Sequence, residues 1–304
     1  MKYINFTKNL LNEYLNNFIS FDEILNLKNY NKIRFSKKML KINQWAKKIK
    51  KNLLRDPIIV INFRSCIKNS EDLNLFRSLN LYLAVCMGNL VPQDSKGKKV
   101  ITVYDRDSTK SISSGARYHQ THDGGSIHTD NVNNKEYWNY LFLSCLSQSP
   151  VGGESIVVDG QLIFDKLKKY YPKDLLILKK NFWWEKRGIS NSHYQSPIIK
   201  IDKKKKIMFR YLRPYLESAH KVKKKDLTYK QVKALDNLDK ILNSRKNQIK
   251  FKLKKYQTLI TLDYRVLHGR TIFKDNPKAL SIESYNSYND QQILKRTMDR
   301  VWVR

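Results

Sequence analysis

The chain has 304 residues, of which 41% are hydrophobic and 12% aromatic, so it is too apolar to be disordered and can form one large domain. Its 59 basic and 27 acidic residues give a formal net charge of +32, a value often found in proteins that bind nucleic acid. The lysines are spread along the whole chain, however, with runs of three or more only at 203–206 and 223–225. We therefore do not expect a nucleic-acid partner.

The sequence also lacks the signals of a secreted or membrane-spanning protein. Its first residues do not contain the continuous apolar segment of a signal peptide, and no run of about eighteen apolar residues occurs. Cys66, Cys86 and Cys145 show neither C-x-x-C spacing nor a disulfide framework, which indicates a reducing compartment. We predict a cytoplasmic protein.

In chain order, residues 1–55 carry apolar side chains at mixed helical spacing and contain neither glycine nor proline. This pattern predicts a helical N-terminal extension, followed by a second, larger domain over residues 56–304. The larger domain opens with a β-branched strand at 57–63. A helix is predicted at 70–87, with Ser70 in position to cap its N-terminus.

The remainder of the chain alternates short strands with a few helices. Helices are predicted at 161–171 and 227–242, and strands at 98–105, 137–146, 182–184, 194–201, 206–212, 251–253 and 258–262. No regular βαβ alternation occurs. The pattern favours a mainly β fold with flanking helices, built on a double-stranded β-helix, that is, a cupin-like jelly roll.

Three residues could form a metal site. His128 and Asp130 stand two apart in the segment S-I-H-T-D, and on an extended strand residues i and i+2 point to the same face. A third imidazole is available at His268. Two imidazoles and one carboxylate on one side of a divalent metal leave the other side open, which is the arrangement of non-heme Fe(II) oxygenases.

Three motifs extend this interpretation: H-T-D at 128–130, V-G-G-E-S at 151–155 and D-Y-R-V-L-H-G-R at 263–270. With a looser match at 88–93, G-N-L-V-P-Q, they resemble the taurine dioxygenase-like (TauD/TfdA) superfamily of Fe(II)/2-oxoglutarate-dependent oxygenases, in the same order along the chain. The γ-butyrobetaine and trimethyllysine hydroxylases share the L-H-G-R turn. The resemblance extends over roughly residues 57–285.

The resemblance implies an enzyme that uses Fe(II), 2-oxoglutarate and O2, with His128, Asp130 and His268 as metal ligands and catalytic residues. Decarboxylation of 2-oxoglutarate to succinate and CO2 would be coupled to hydroxylation, desaturation or cleavage of a small molecule, such as an amino acid or amine. The presence of Asp130 argues against halogenation, because it leaves no ligand position vacant for a halide.

The co-substrate residues match the family only in part. Ser155 corresponds to the hydroxyl residue that contacts the C5 carboxylate of 2-oxoglutarate in the family. The family's arginine on the strand after the distal histidine has no counterpart in the segment 273–285. Lys278 and Arg270 are therefore the candidate co-substrate residues, although a lysine lacks the bidentate fork of an arginine. Other cations that could serve are Lys274, Arg210 and Arg213.

Two alternatives remain at this point. If Glu283 faced the iron pocket, its charge would disfavour a dianionic co-substrate and would indicate an Fe(II) oxygenase that does not use 2-oxoglutarate. A jelly roll could also serve as a non-catalytic binding protein. The sequence does not identify the substrate or the oligomeric state, and a homo-oligomer is compatible with it.

The other histidines and the clustered aromatic residues receive structural interpretations. None of the remaining histidines has a carboxylate at matched strand spacing, so a role as ligand is not expected for His119, His122, His193 or His220. Four aromatic side chains could line a pocket for a cationic amine, but aromatics in such strands more often belong to the core. These are Tyr137, Trp138, Trp183 and Trp184.

Overall fold

A computed structural model describes residues 1–67, 73–107, 120–186, 190–286, 289 and 291–304. Among these residues helices account for more of the chain than strands, so the fold is a mixed α/β arrangement rather than the mainly β one that we predicted. The difference arises because the N-terminal helices and two helices that the sequence patterns did not reveal add to the strands.

A six-stranded sheet forms the centre of the molecule. Its strands are β1 (Lys2–Asn5), β2 (Ile58–Asn62), β3 (Val100–Val103), β4 (Tyr140–Ser147), β12 (Gln257–Leu262) and β15 (Thr297–Val303). Their order across the sheet is β1-β2-β12-β4-β15-β3, and they pair antiparallel except for β1 and β2, which are parallel.

A smaller sheet contains β6 (Ser155–Asp159), β11 (Ile249–Phe251) and β13 (Val266–Arg270). Its strand order is β11-β6-β13, and it is antiparallel throughout. Three two-stranded pairs complete the strands of the described residues. They are β5 (Val151–Gly152) with β14 (Phe273–Lys274), β7 (Asn181–Glu185) with β8 (His193–Pro197), and β9 (Ile199–Ile201) with β10 (Ile207–Phe209).

Nine α-helices are found in the described part of the chain. The first five are α1 (Lys8–Leu15), α2 (Phe21–Asn26), α3 (Asn31–Arg34), α4 (Leu40–Leu53) and α5 (Leu73–Met87). The others are α6 (Gly160–Tyr170), α7 (Pro172–Leu178), α8 (Arg213–Val222) and α9 (Tyr229–Leu242). None of the helices in the described ranges is long and apolar enough to cross a bilayer.

Alternating side chains divide the core into layers. Ile59 and Ile61 of β2 pack with helices α1 to α5, whereas Ile58 and Val60 of the same strand point to the opposite face. On that opposite face they meet Val157 of the smaller sheet, so the two sheets face each other. The outer side of the smaller sheet packs on helices α6, α7 and α9. The molecule therefore offers an interior between two sheets, covered by helices on both sides.

Most of the predicted elements are present, with shifted ends. The predicted helix at 70–87 appears as α5, although the proposed cap Ser70 lies outside the described residues. The N-terminal segment is not entirely helical, because β1 adds a parallel strand to the large sheet. The sequence interpretation omitted α7, α8 and β15, and β15 turns out to matter for the site.

Candidate metal centre

His128 and His268 lie directly opposite each other. The backbone N–H of each residue donates to the carbonyl oxygen of the other, at 2.8 Å from His128 and 2.7 Å from His268. In an antiparallel pair, residues that exchange both hydrogen bonds present their side chains on the same face. The two ring centroids are consequently only 4.5 Å apart.

The side chain of Asp130 lies beside the two imidazole rings, because the backbone remains extended at Thr129 (φ −109°, ψ 149°) before a 3-10 helix begins. Its Oδ1 atom lies 3.6 Å from His128 Nε2 and 3.8 Å from His268 Nε2. One ligand atom from each of the three side chains falls within 4.8 Å of the others. Within the described ranges, this is the only group of three or more such side chains that could hold a metal ion.

The three side chains are buried, with 5%, 6% and 8% of their surface exposed in chain order. His128 Nδ1 lies 2.8 Å from the carbonyl oxygen of Ser126, so this nitrogen donates and Nε2 is the nitrogen that faces Asp130. Burial, followed by the nearby His128, lowers the pKa of His268 to about 3, and the ring of His268 is therefore neutral at physiological pH. A neutral imidazole is the form that binds metal.

Asp130 is held as a carboxylate. Burial alone would raise its pKa, but the charge of Arg300 keeps the pKa well below the usual range. Arg300 Nη1 lies 3.4 Å from both carboxylate oxygens, and Trp302 Nε1 donates to Oδ2 at 2.9 Å. Arg300 is itself fixed by Gln93, whose Oε1 accepts from Arg300 Nε at 2.8 Å.

A second acid lies behind the first. Asp263, in the turn before β13, accepts from the backbone N–H of Asp130 at 3.5 Å. Burial and then the charge of Asp130 raise the pKa of Asp263 well above its usual value. The charge of Asp130 therefore disfavours ionisation of the second acid, Asp263.

A buried arginine forms hydrogen bonds with the segment that follows Asp130. Arg210 Nη2 donates to the carbonyl oxygens of Asn134 and Lys135, both at 2.8 Å. The guanidinium lies between two aromatic rings, 4.4 Å from the centroid of Tyr137 and 5.0 Å from that of Tyr194. Arg210, one of the cations considered for the co-substrate, therefore lies against this segment, and it is not among the described residues that line the metal-site cavity.

A cavity extends from the three ligand atoms into the space between the sheets. Ser155 on β6 pairs directly with Arg270 on β13. Arg270 lies two residues after His268 on the same strand. Since side chains two apart on a strand share a face, Ser155 and Arg270 point to the same side as His268. The other lining residues include Val103, Leu143, Leu253, Arg296, Met298 and Arg300.

The predicted co-substrate cations occupy different places. Arg270 lines the cavity, but its guanidinium donates to the backbone carbonyl oxygens of Thr121 and Asp123. Lys278 is exposed and does not line the cavity. The remaining two cations also lie outside it: Arg213 pairs with Glu217, Asp236 and Asp239, and Lys274 is exposed beside another cavity.

Glu283 is also outside the cavity, so the structure does not bring its charge to the metal site. It is exposed, and both of its carboxylate oxygens lie 2.9 Å from the hydroxyl group of Tyr104, which donates to them. The repulsion that would have argued against a dianionic co-substrate is therefore not supplied by this residue.

Arg296 is the cation that the sequence interpretation missed. It is buried, it lines the cavity with Ser155, and its guanidinium lies 5.0 Å from the ring centroid of Phe273. Its backbone N–H donates to Asp275 Oδ1 at 2.8 Å. Arg296 directly precedes β15, whose sequence T-M-D-R-V-W-V ends in two valines and a tryptophan, a β-branched and aromatic signal that could have predicted this strand.

Gly153 of the V-G-G-E-S motif provides room for Arg296. A Cβ atom at this position would lie 2.8 Å from Arg296 Nε and 2.8 Å from Ser149 Oγ, and the glycine has a φ of +71°. Only glycine adopts this backbone conformation without strain. The motif thus shapes the cavity next to the cation as well as supplying the hydroxyl group of Ser155.

The resemblance implies that 2-oxoglutarate binds in this cavity, so we expect Gly153→Ala to weaken its binding roughly tenfold or more, because the added Cβ would displace the guanidinium of Arg296. Gly97→Ala is the matched control, because Gly97 has a similar φ of +76° and no atom within 4 Å of an added Cβ. Both variants should lose roughly 1–2 kcal/mol of folding free energy from backbone strain. Calorimetric titration should separate them, and equal affinities would refute this role of Gly153.

The other histidines and the aromatic cluster lie elsewhere. His122 Nδ1 is 3.3 Å from Asp105 Oδ2, and His220 accepts from the backbone of Trp183 at 3.1 Å. His119 lies outside the described residues. The described residues that line the cavity include none of the four aromatic residues considered for a pocket. Trp138 and Trp184 are fully buried in the core.

Comparison with known proteins identifies a family for this chain. The sequence model of the taurine catabolism dioxygenase TauD, TfdA family matches residues 40–282. A search of curated protein sequences finds no significant match.

Solved structures similar to this one include three oxygenases. An asparagine oxygenase, in complex with Fe(II), 3-hydroxyasparagine and succinate, has a TM-score of 0.64 at 12% identity, covering 99% of this chain and 93% of that one. The non-heme iron oxygenase OrfP, in complex with Fe and α-ketoglutaric acid, has a TM-score of 0.64 at 14% identity, with 99% and 93% covered. PvcB from Pseudomonas aeruginosa has a TM-score of 0.57 at 12% identity, with 85% and 80% covered.

At these identities the structural similarity establishes a shared fold. The match to the family model is the more specific finding, because it spans most of the chain and includes His128, Asp130 and His268. The chain belongs to the taurine catabolism dioxygenase TauD, TfdA family.

Proposed function

We propose that this protein is an Fe(II)- and 2-oxoglutarate-dependent oxygenase that hydroxylates a small amino acid or amine, with His128, Asp130 and His268 as its metal ligands. The observation that carries the proposal is the convergence of three buried ligand atoms within 4.8 Å of one another at the edge of a cavity. Family membership supports the dioxygenase activity. Two solved structures of similar fold contain hydroxylated amino acids, which supports the substrate class.

The donor set fits Fe(II). Two neutral imidazoles and one carboxylate are the ligands of non-heme Fe(II) oxygenases, and their arrangement on one side leaves positions for a co-substrate and O2. Hydrogen bonds direct the donors: Ser126 accepts from His128 Nδ1, and Trp302 engages Asp130 Oδ2. His128 Nε2 and Asp130 Oδ1 therefore face the same point.

Arg296 and Ser155 would bind the C5 carboxylate of 2-oxoglutarate. They line one cavity with the metal-site histidines, and a guanidinium binds a carboxylate through two parallel hydrogen bonds. Apolar side chains, among them Val103, Leu143 and Met298, line the same cavity. Such walls would accommodate the methylene groups of the co-substrate and exclude water.

Bound iron would supply oxidative decarboxylation of 2-oxoglutarate to succinate and CO2, coupled to insertion of one oxygen atom into a C–H bond of the substrate. The protein contributes binding and orientation. The carboxylate of Asp130 and the two imidazoles would hold the metal. The guanidinium of Arg296 offsets the charge of the co-substrate in a buried site.

The arrangement of two facing, mainly antiparallel sheets supports a double-stranded β-helix as the core of the fold. The division into an N-terminal extension (residues 1–55) and an oxygenase domain (residues 56–304) remains a prediction. In the structure the N-terminal helices share one hydrophobic cluster with the large sheet. A cytoplasmic location and a homo-oligomeric state also remain predictions from sequence.

The proposal is tested by incubating the protein with Fe(II), 2-oxoglutarate, O2 and a panel of amino acids and amines, and measuring succinate and hydroxylated product. We expect at least one panel member to stimulate succinate formation with a matching amount of product. Bound iron and O2 consumption without succinate would instead indicate an oxygenase that draws its electrons from the substrate. Absence of metal binding would indicate a non-catalytic binding protein.

A further inference from the structure

The two oxygen atoms of Asp130 have different surroundings. Oδ1 faces His128 Nε2 and His268 Nε2, at 3.6 Å and 3.8 Å. Oδ2 accepts a hydrogen bond from Trp302 Nε1 at 2.9 Å. Arg300 Nη1 lies 3.4 Å from each oxygen but donates a hydrogen bond to Oδ1. The indole N–H of Trp302 is therefore the contact that holds Oδ2.

Packing holds this indole in place. Trp302 is buried, and it stacks on Trp138 with a centroid separation of 4.3 Å and an angle of 19° between the rings. Val91 and Leu141 complete the same buried cluster, and Arg300 lies 4.7 Å from the Trp302 ring centroid on β15. A side chain confined in this way keeps its N–H pointed at one carboxylate oxygen.

We propose that Trp302 is a positioning residue of the metal centre, whose indole N–H holds Asp130 so that Oδ1 alone faces the metal. This inference rests on the proposed function. A carboxylate that can turn is able to bind a metal through one oxygen or two. Because Trp302 holds Oδ2 by a hydrogen bond, Asp130 would bind the metal through one oxygen only. The metal would then keep the coordination positions that the co-substrate needs.

The test compares Trp302→Phe with wild type and with Trp184→Phe. Trp302→Phe keeps an aromatic ring on Trp138 and removes only the N–H donor and part of the ring. Trp184 is the matched control, because it is equally buried and its Nε1 donates to the carbonyl oxygen of Ser196 at 3.0 Å, away from the metal ligands. Fe(II) affinity is measured under anaerobic conditions, together with thermal unfolding of the metal-free proteins.

We expect Trp302→Phe to bind Fe(II) about 10- to 100-fold more weakly than wild type, which is the usual effect of removing a partner of a metal ligand. Trp184→Phe should lower the unfolding temperature comparably and leave Fe(II) affinity unchanged. An Fe(II) affinity of Trp302→Phe within about threefold of wild type, well short of that usual effect, would overturn the inference. The comparison needs no turnover, so a wild type that binds Fe(II) but forms no succinate would refute the proposed function and leave this test intact.

A second measurement uses the wild-type chain, in case Trp302→Phe does not fold. In the 15N-labelled protein each of the five tryptophans gives one indole N–H signal. These can be assigned by replacing the other four singly. Titration with diamagnetic Zn(II), which accepts the same donor set, should shift the Trp302 signal and leave that of Trp184 in place. An unmoved Trp302 signal at saturating Zn(II) would contradict the proposal.

Discussion

Replacement of Asp130, His128 or His268 by alanine is expected to weaken Fe(II) binding by more than about 100-fold, because loss of a direct ligand exceeds the 10- to 100-fold effect of losing an outer partner. Each change leaves only two of three donors in a buried site. The effects should not add, since the first loss already removes the complete donor set. Anaerobic Fe(II) titration measures this directly.

His122→Ala is a suitable control for the histidine variants. His122 pairs with Asp105 and does not belong to the three-residue group. It should retain Fe(II) affinity, and circular dichroism should show that all four variants are folded. Wild-type Fe(II) affinity in a variant that replaces His128, Asp130 and His268 together by alanine would show that the ligand assignment is wrong.

Arg296→Ala is expected to weaken binding of 2-oxoglutarate to the Fe(II)-loaded protein by about 100-fold. Two charge-assisted hydrogen bonds are lost, which corresponds to roughly 3 kcal/mol. Arg296→Lys should lie in between, because an ammonium group keeps the charge but not the fork. Affinity for Fe(II) alone should change little, so the loss is specific to the co-substrate.

Lys278→Ala provides the comparison for Arg296→Ala. Lys278 was the cation favoured by its position in the sequence, but its side chain is exposed and does not line the cavity. We expect its removal to leave the affinity for 2-oxoglutarate unchanged. Strong weakening by Lys278→Ala, with none by Arg296→Ala, would reverse the assignment.

The metal centre could be predicted from sequence because its ligands depend on local rules. The spacing of His128 and Asp130 requires only an extended residue between them, and Thr129 is extended. His268 was identified by a motif whose strand then pairs with the segment of His128. Neither inference required knowledge of the whole fold.

The proposed carboxylate anchor, Arg296, could not be found in the same way. The family pattern places an arginine shortly after His268, but among the described residues the next strand after β14 is β15. Arg296, which directly precedes β15, therefore reaches the cavity from a part of the chain that is close in space and distant in sequence. The contacts of Trp302 and Arg300 with Asp130 depend on the same long-range pairing of strands.

The central claim, that this chain is an Fe(II)/2-oxoglutarate oxygenase, is tested most directly by an anaerobic absorption titration. Fe(II) is added to the protein first, and 2-oxoglutarate follows. We predict that the weak visible charge-transfer band of the iron–2-oxoglutarate complex appears with wild type and is absent with Asp130→Ala. Tight binding of Fe(II) without the band at saturating 2-oxoglutarate, or no binding of Fe(II), would contradict the claim.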